Sequence, residues 1–463
     1  MHLKYVKKLI FSVKPLSTLV LLVSLLSMAF IDHSARAQGL AIVRDTEIEN
    51  TIRAYSAPLF EAAGLDLNSI RIRLVKDNSL NAFVAGGQNI FINTGLLARS
   101  DNAGQIIGVL AHEIGHISGG HLSRIHEGLR NASTQSILAM ILGTAAAVAA
   151  GSTEGVTGAL IGGQALGQRA LFKYTQGMEQ AADQAGVNFL ERTGQSSRGL
   201  LEFLQILQKQ SAIYAGSKDP YANTHPLTQD RISFLGNHVK KSRFSRVPTP
   251  KQFTVMHARM RGKINGYVDT PHRTLSYYSA EDKRIEARYA RAYAFMKLHD
   301  VKNALNIVDQ LIDESPEDPF FHELKGDILK DAGKIREAMI AYNQAITILP
   351  WAALIRISLA RVHLELNDPK LDDAVLKNIQ EALRYENQIP TAWRQLATIY
   401  GRRGETGKAS LALAEEAMLR SEISRAKTNV KRALELLPKG SPEHIRALDI
   451  DNELAQLKAT EDS

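Results

Sequence analysis

The chain contains no cysteine. This absence excludes disulfide bonds, a thiol nucleophile and any metal site built from thiolates. A metal site would therefore have to be built from histidine, aspartate and glutamate side chains. Without disulfides the 463-residue chain must rely on hydrophobic cores, and a hydrophobic fraction of 44% is enough for two or three domains.

The chain also has little excess charge. Its formal net charge of +8 is small for this length, and about half of it lies in the first 37 residues. The remaining basic residues do not form one long block. The composition therefore gives no reason to expect a nucleic-acid partner.

The first 37 residues have the layout of a cleavable export signal. Four lysines precede an apolar run from Leu16 to Ile31, and Ala35-Arg36-Ala37 follows as a small-x-small cleavage site. This order predicts a mature chain that begins near Gln38 and works outside the cytoplasm. An uncleaved membrane anchor is the alternative, because the apolar run approaches the lower limit for a span.

The clearest chemical motif is His112-Glu113-Ile114-Gly115-His116. On a helix, His112 and His116 project from the same face one turn apart, so both imidazoles can bind one metal ion. Glu113 lies beside them and is suited to act as a general base. Apolar residues at helical spacing predict that this helix is buried. Asp101 or Asn102 is predicted as its N-cap, with Gln105 placed as a capping-box partner of Asn102.

A third metal ligand has to come from another segment. Glu179 and Asp183 lie four residues apart on one face of a predicted helix that ends near Gly194. Two carboxylates at this spacing repel each other unless a cation or an imidazolium lies nearby. Glu179 as a metal ligand and Asp183 as the partner of a ligand imidazole would remove that repulsion. A solvated acidic face is the alternative.

A small sheet is predicted ahead of the metal-binding helix. A helix over 45–63 ending at Gly64 precedes a strand over 70–75, and two further strands flank Gly86-Gly87-Gln88 as a hairpin. The first hairpin strand, Asn81-Ala82-Phe83, is predicted to hold an extended peptide substrate by main-chain pairing. Simple packing of the hairpin is the alternative.

Together these motifs resemble the M48 family of zinc metallopeptidases. The resemblance rests on four ordered segments within about Gln38 to Val247: the hairpin, His112-Glu113-x-x-His116, Glu179-x-x-x-Asp183, and Thr224 to Ile232. It implies an α+β, gluzincin-like fold with helices packed on a small sheet. It also implies one Zn²⁺ per chain on His112, His116 and Glu179, with Glu113 as the catalytic base.

The last of these segments contains His225, which precedes Pro226 and is therefore predicted to lie in an extended or turn conformation. The family resemblance makes His225 a site residue, and two roles stay open. It can donate a hydrogen bond to an oxyanion, or it can act as a fourth ligand that makes the site latent. Arg231 is predicted to support the same pocket. His121 and His126 lack the helical spacing to join the motif and are predicted to be surface residues.

The segment from Ile137 to Gly167 is apolar and rich in alanine and glycine. Its continuous apolar part is about 15 residues, shorter than the roughly 20 needed to cross a bilayer. A buried helical hairpin is the first interpretation. A lid over the cleft and contact with a membrane surface are the alternatives.

The composition changes after the basic, proline-containing stretch from Lys240 to Pro250. The export signal gives a signal peptide over 1–37, and the resemblance implies a peptidase domain over 38–247. The change of composition then predicts a connecting segment over 248–274 and a second domain over 275–463. In the second domain, alanines recur at spacings of 34, 36 and 35 residues, at Ala304, Ala338, Ala374 and Ala409.

Other positions follow the same period. Pro316 and Pro350 each lie 12 residues after their alanine, and Ala426 and Pro438 repeat that offset. The pattern resembles tetratricopeptide repeats, each a pair of helices, and supports about four of them. Ala426 follows Ala409 by only 17 residues, which predicts one helix shared between two units. Such an array implies a concave protein-binding surface, and a spacer or a dimerisation module is the alternative.

An export signal, an M48-like site and a repeat array in this order resemble periplasmic quality-control peptidases of Gram-negative bacteria. This resemblance implies an endopeptidase that acts on unfolded or misassembled outer-membrane proteins at or near the outer membrane. It further implies that the repeats contact the outer-membrane β-barrel assembly machinery. The alternative function is a chaperone or adaptor whose zinc site is mostly latent.

Overall fold

The computed structural model describes residues 41–67, 69–85, 88–121, 176–213 and 225–461. The predicted signal peptide, His126 and the apolar segment over 137–167 lie outside these residues. The described residues from Ile42 onward belong to one compact unit, Ile42–Ser463. None of the described helices is long and apolar enough to cross a membrane.

A four-stranded sheet lies near the start of the second unit. Its strands are β1 (Ile42–Val43), β2 (Arg71–Val75), β3 (Ala82–Ala85) and β4 (Asn89–Asn93), in the order β1-β2-β4-β3. The β2–β4 pair is parallel and the other two pairs are antiparallel. The predicted strand over 70–75 and the predicted hairpin are therefore confirmed. Within the described residues, β3 is an edge strand that pairs only with β4.

Helix α1 spans Thr46–Ala63 and begins and ends as predicted. The Asp45 side chain accepts a hydrogen bond from the backbone N–H of Ile48, which caps the first turn. Gly64 ends the helix with a φ of 69°, a left-handed conformation that glycine adopts without steric cost. The apolar face of α1 is buried in the core that it shares with the sheet and the next helices.

Five helices complete the part of the structure around the histidine motif. They are α2 (Thr94–Arg99), α3 (Ala103–Ser118), α4 (helical over 176–192), α5 (Arg198–Ile213) and α6 (Gln229–Lys241). Asn102 caps α3 by accepting from the backbone N–H of Gln105, as predicted. The Gln105 side chain in turn accepts from the backbone N–H of Asp101.

Two glycines allow the helices around α3 to approach it closely. A Cβ atom on Gly108 would lie 2.5 Å from the backbone nitrogen of Leu200 in α5. A Cβ atom on Gly115 would lie 2.6 Å from the carbonyl oxygen of Ala182 in α4. Any larger residue at Gly115 would therefore push away the helix that carries Glu179 and Asp183.

Helices make up the rest of the described chain. The stretch over 248–274, predicted as a connecting segment, contains α7 (Lys251–Val268) and α8 (Pro271–Tyr277), and α7 packs against α1, α2 and α9. The helices that follow are α9 (Ile285–Lys297), α10 (Val301–Glu314), α11 (Pro319–Asp331), α12 (Ile335–Ile348), α13 (Ala353–Glu365), α14 (Asp372–Tyr385), α15 (Pro390–Arg402), α16 (Thr406–Leu419), α17 (Ile423–Leu436) and α18 (Pro442–Glu461). Each packs against the next, which confirms an all-α helical array after an α+β part. The domain boundaries at 247 and 275 stay predictions.

The turns inside the helix pairs share one backbone feature. Each contains a residue with positive φ: 57° at His299, 73° at Gly333, 49° at Asn367, 77° at Gly404 and 58° at Ser421. The left-handed conformation reverses the chain after the first helix of a pair. Gly404 precedes α16 and Ser421 follows it, so α16 ends one helix pair and begins the next. Gly440, with a φ of 80°, lies in the same way between α17 and α18, so the predicted shared helix stays a prediction.

A buried ionic network joins α1 to the helices that follow. Both carboxylate oxygens of Glu47 accept hydrogen bonds. One lies 2.7 Å from Arg259 Nε, and the other lies 3.3 Å from Lys263 Nζ and 2.6 Å from the Tyr289 hydroxyl. Arg259 also pairs with Asp318. Burial raises the pKa of Glu47, but the two cations outweigh it and the net pKa is lowered. The carboxylate is thus held ionised where α1, α7, α9 and α11 meet.

Candidate metal centre

Two histidines of α3 lie one turn apart and face the same point. The Nε2 atoms of His112 and His116 are 3.1 Å apart. Both side chains are buried, with 0% and 8% of their surface exposed. Since two N–H groups cannot point at each other at this distance, at least one of the nitrogens presents a lone pair.

Glu179 and Asp183 reach this point from α4, the helix that Gly115 allows to approach. One Glu179 oxygen lies 3.2 Å from His116 Nε2, and the other lies 3.4 Å from His112 Nε2. An oxygen of Asp183 lies 2.8 Å from Nδ1 of His112, on the outer side of that ring. The structure thus brings both carboxylates together with both histidines in the protein interior.

His225 lies just before α6 and is also buried. Its Nδ1 atom lies 3.1 Å from Glu179 and 3.4 Å from His112 Nε2. Its Nε2 atom points the other way, 3.2 Å from the carbonyl oxygen of Ala82 and 3.5 Å from a carboxylate oxygen of Glu113. One ring nitrogen therefore faces the other three side chains, and the second faces β3.

These four side chains have the donor types and spacing that a metal ion requires. One ligand atom each of His112, His116, Glu179 and His225 lies within 4.8 Å of all the others. A tetrahedral zinc ion with bonds of about 2.0–2.1 Å has ligand atoms about 3.3 Å apart. Three of the closest pairs are at 3.1, 3.2 and 3.4 Å. The cluster could therefore hold one metal ion.

Arg231 carries the positive charge closest to the two carboxylates. Its side chain is 1% exposed, and it contacts Asp183 through Nε at 2.7 Å and Glu179 through Nη1 at 2.7 Å. Burial raises the pKa of Asp183, but hydrogen bonds from His112 and Arg231 lower it further than burial raises it. The pKa of Glu179 is likewise lowered overall, because the three histidines outweigh its burial. Both carboxylates are therefore ionised.

The two histidines of α3 differ in their affinity for protons. Burial lowers the pKa of His112, but hydrogen bonds to Asp183 and Glu179 outweigh it and raise that pKa to about 9. Burial dominates at His116 and lowers its pKa to about 3. A metal ion has to displace a proton from His112, whereas His116 is already neutral and able to coordinate.

Residues 44–239 match a family model described as peptidase family M48. We refer to these residues below as the M48 domain, after the family model that they match. The matched range contains the whole cluster, from His112 to His225 and Arg231, and the match supports a peptidase.

Relatives that match beyond the M48 domain have a common name. The chain is 27% identical to the "Beta-barrel assembly-enhancing protease" of Yersinia pestis over 373 residues, covering 78% of this chain and 74% of the relative. It is 25% identical to the protein of that name from Escherichia coli strain K12 over 332 residues, covering 71% and 67%. Among solved structures, a TPR protein of Thermus thermophilus is 18% identical, with coverages of 43% and 93% and a TM-score of 0.25. The helical array is defined by its own helices, α9 to α18.

The predicted substrate strand lies beside the cluster of His112, His116, Glu179 and His225. Asn81 and Ala82 are buried and Phe83 is partly buried, with its ring stacked on Phe91 at a centroid distance of 5.0 Å. The Ala82 carbonyl oxygen is the group that faces His225. The strand is therefore next to the site, and substrate binding along it stays a prediction.

His121 is the site residue that the sequence pattern did not identify. The prediction that it is a surface residue is wrong, because it is 3% exposed and its Nδ1 lies 3.0 Å from Nδ1 of His116. Helical spacing failed here because α3 ends at Ser118 and the chain turns before His121. The adjacent Gly119-Gly120 pair was the available signal, since two glycines after a helix indicate a sharp change of direction.

Proposed function

We propose that this chain is a zinc-dependent endopeptidase that hydrolyses misfolded or stalled outer-membrane proteins in the periplasm. The observation that carries the proposal is the convergence of His112, His116 and Glu179 beside a buried carboxylate, Glu113, in an M48 domain. The relatives' name supports a role in the assembly of β-barrel proteins.

The proposed zinc ligands are His112 Nε2, His116 Nε2 and one oxygen of Glu179. This set of two imidazoles and a carboxylate suits zinc, and thiolates are absent from the chain. When bound, zinc supplies Lewis acidity, which polarises a peptide carbonyl and makes a water molecule acidic near neutral pH. The Asp183 carboxylate, 2.8 Å from the outer Nδ1 of His112, is proposed to position that ring, and Arg231 keeps both carboxylates paired.

Glu113 is the proposed general base. Both of its oxygens are buried, and they have no hydrogen-bond partner among the described residues. Burial raises the pKa of this carboxyl group, although the charges of His225 and His112 oppose the shift. A raised pKa suits a group that takes a proton from the attacking water and later delivers it to the leaving amine.

His225 is proposed to keep the resting site latent. Its Nδ1 atom faces the other three ligand atoms. With Nε2–H donating to the Ala82 carbonyl oxygen, Nδ1 would present a lone pair and could occupy the fourth position that a substrate or a water molecule needs. The alternative is that His225 swings away and donates to the oxyanion of the reaction. The orientation of Nδ1 supports the first role.

The helical array and the export signal define the proposed setting. The signal peptide predicted over 1–37 would send the chain to the periplasm, and the array would dock on the outer-membrane β-barrel assembly machinery. A chaperone or adaptor with a mostly latent zinc site is the second candidate function. It is supported by the fourth side chain, His225, in the cluster.

The test compares the parent protein with Glu113→Gln, which keeps the shape of the side chain but removes the base. We expect both proteins to contain one zinc ion per chain, and only the parent to cleave an unfolded outer-membrane protein. Cells that lack the protein are then complemented with each form. If Glu113→Gln restores β-barrel assembly fully, the chaperone or adaptor function is the physiological one. If the purified parent binds no zinc, the proposal is wrong.

A further inference from the structure

A second imidazole lies directly behind His116. The Nδ1 atoms of His121 and His116 are 3.0 Å apart, and the two rings are almost perpendicular at 82°. His121 is not among the residues whose ligand atoms converge in the cluster. Its contact is with the outer side of a ligand ring, so it acts on the site through His116.

The direction of this hydrogen bond follows from the chemistry of imidazole. The Nε2 atom of His116 faces Glu179 and His112, and a metal ion bound there would use its lone pair. A neutral imidazole with a free lone pair on Nε2 carries its proton on Nδ1. His116 Nδ1–H therefore donates to His121 Nδ1, and His121 carries its own proton on Nε2.

The two ligand histidines of α3 thus have outer partners of different chemistry. His112 is 2.8 Å from a carboxylate oxygen of Asp183, whereas His116 is held by a neutral ring. An outer acceptor fixes the tautomer and the orientation of a metal-binding imidazole. A carboxylate also makes the ligand more basic than a neutral ring does.

The segment between the two rings is built to place His121. A Cβ atom on Gly119 would lie 2.4 Å from His121 Nε2, so only glycine leaves room for the ring. Gly120 has a φ of 61°, a conformation that side chains disfavour, and this turns the chain back toward α3. Both glycine backbone N–H groups still bond to the end of α3, at Gly115 and Ile117.

We infer that His121 is a positioning residue for the metal site: it accepts the Nδ1–H of His116 and holds that ring with Nε2 toward the metal. The inference rests on the proposed function, because it assumes that His116 is a zinc ligand. His121 lies behind the His116 ring and contributes no ligand atom to the cluster. Removing this acceptor should weaken the binding of the metal ion and change the arrangement of the ligands around it.

The experiment measures zinc affinity by competition with a chelator, in full-length protein carrying Glu113→Gln so that self-cleavage cannot interfere. His121→Phe keeps a planar ring and removes the acceptor, and we expect zinc affinity to fall by about 10–100-fold. His121→Gln restores a carbonyl acceptor and should recover most of this loss. The visible spectrum of the cobalt-substituted protein should change in His121→Phe and return toward the parent in His121→Gln.

A pair of glycine variants provides a matched control. Gly119→Ala leaves His121 in the chain but displaces its ring, and it should weaken zinc binding like His121→Phe. Gly401→Ala, a helical glycine with no atom within 4 Å of the added Cβ, should bind zinc like the parent. Melting curves of the metal-free proteins identify any variant that fails to fold.

Three outcomes separate this inference from the function on which it rests. If the parent binds zinc and His121→Phe binds it within twofold as tightly, only the role of His121 is overturned. The same holds if His121→Gln shows no recovery, because a purely steric role would then explain the loss. If the parent binds no zinc, the proposed function itself fails.

Discussion

Arg231 binds both carboxylate oxygens of Asp183, with Nε at 2.7 Å and Nη2 at 2.9 Å. The same guanidinium contacts Glu179 through Nη1 and donates to the carbonyl oxygen of Pro226, the residue after His225. One buried cation therefore connects the two acidic residues of α4 with the segment that carries the third histidine. Asp183 in turn holds His112, so the position of that ring depends on Arg231 through one intermediate residue.

Replacing Arg231 tests this arrangement. Arg231→Met removes the guanidinium that pairs with two buried carboxylates, and we expect the free energy of unfolding to fall by about 3–5 kcal/mol. Arg231→Lys keeps a charge but cannot bind Asp183 with two parallel hydrogen bonds, so an intermediate loss is expected. Urea denaturation of the metal-free proteins measures both. Arg273→Met, at a side chain that is 77% exposed, is the control and should change stability by less than about 0.5 kcal/mol.

Replacing His225 tests the proposed latency. His225→Ala removes the ligand that faces the other three, so we expect zinc to stay bound and proteolysis of an unfolded substrate to become faster. The measurement is kcat/KM together with zinc content. A fall of about 10²–10³ in kcat with zinc retained would instead support donation to the oxyanion. Loss of zinc would show that His225 is a required ligand.

The features that could be predicted from the sequence depend on neighbouring residues. The ends of α1 follow from Asp45 and Gly64, which act within one turn of the helix. The pairing of His112 with His116 follows from helical periodicity alone, and the repeats follow from a spacing that recurs along the chain. Each of these patterns can be recognised without knowing how distant segments of the chain pack together.

The features that could not be predicted depend on how separate segments meet. The buried position of His121 results from a turn at two glycines and from contact with a ring five residues earlier. The role of Arg231 in pairing with both Asp183 and Glu179 requires α4 to approach α3 at Gly115, which periodicity does not reveal. The orientation of the His225 ring likewise depends on the Ala82 carbonyl oxygen of a strand 143 residues away.

The turns of the helical array offer a stability test. Ser421 and His299 have positive φ values of 58° and 57°, which are strained for residues with a side chain. Ser421→Gly and His299→Gly should each raise the free energy of unfolding, by about 0.5–1 kcal/mol, because the relief of strain exceeds the added chain entropy. Asn367→Gly should gain less, since asparagine tolerates this conformation better.

The reverse change provides the control for these turns. Gly333 has a φ of 73°, and a Cβ atom added there would have no atom within 4 Å, so only backbone conformation is affected. Gly333→Ala should lower the free energy of unfolding by about 1 kcal/mol. Thermal and urea denaturation measure all four variants. A loss of stability in both Ser421→Gly and His299→Gly would contradict the argument.

The stability of the fold should also depend on pH through a histidine far from the metal cluster. His257 of α7 is 4% exposed, and its Nε2 lies 2.9 Å from the hydroxyl of Ser100. Burial lowers the pKa of His257 to about 4, and the positive charge of Arg261 acts in the same direction. The ring is therefore neutral in the folded protein at pH values at which it is protonated in the unfolded chain, whose pKa is about 6.5.

This difference determines the sign of the effect. Between about pH 6.5 and pH 4 the unfolded chain binds a proton that the folded protein excludes, so acid stabilises the unfolded state. The stabilisation that neutral His257 gives to the folded protein is fully present well above about pH 6.5. At about pH 5 it is smaller by about 2 kcal/mol of unfolding free energy. His257→Gln cannot titrate, so the difference in unfolding free energy between it and the parent should shift by this amount between about pH 7.5 and about pH 5. The exposed His272 provides the matched control as His272→Gln, and a His257→Gln difference that is the same at both pH values would refute the prediction.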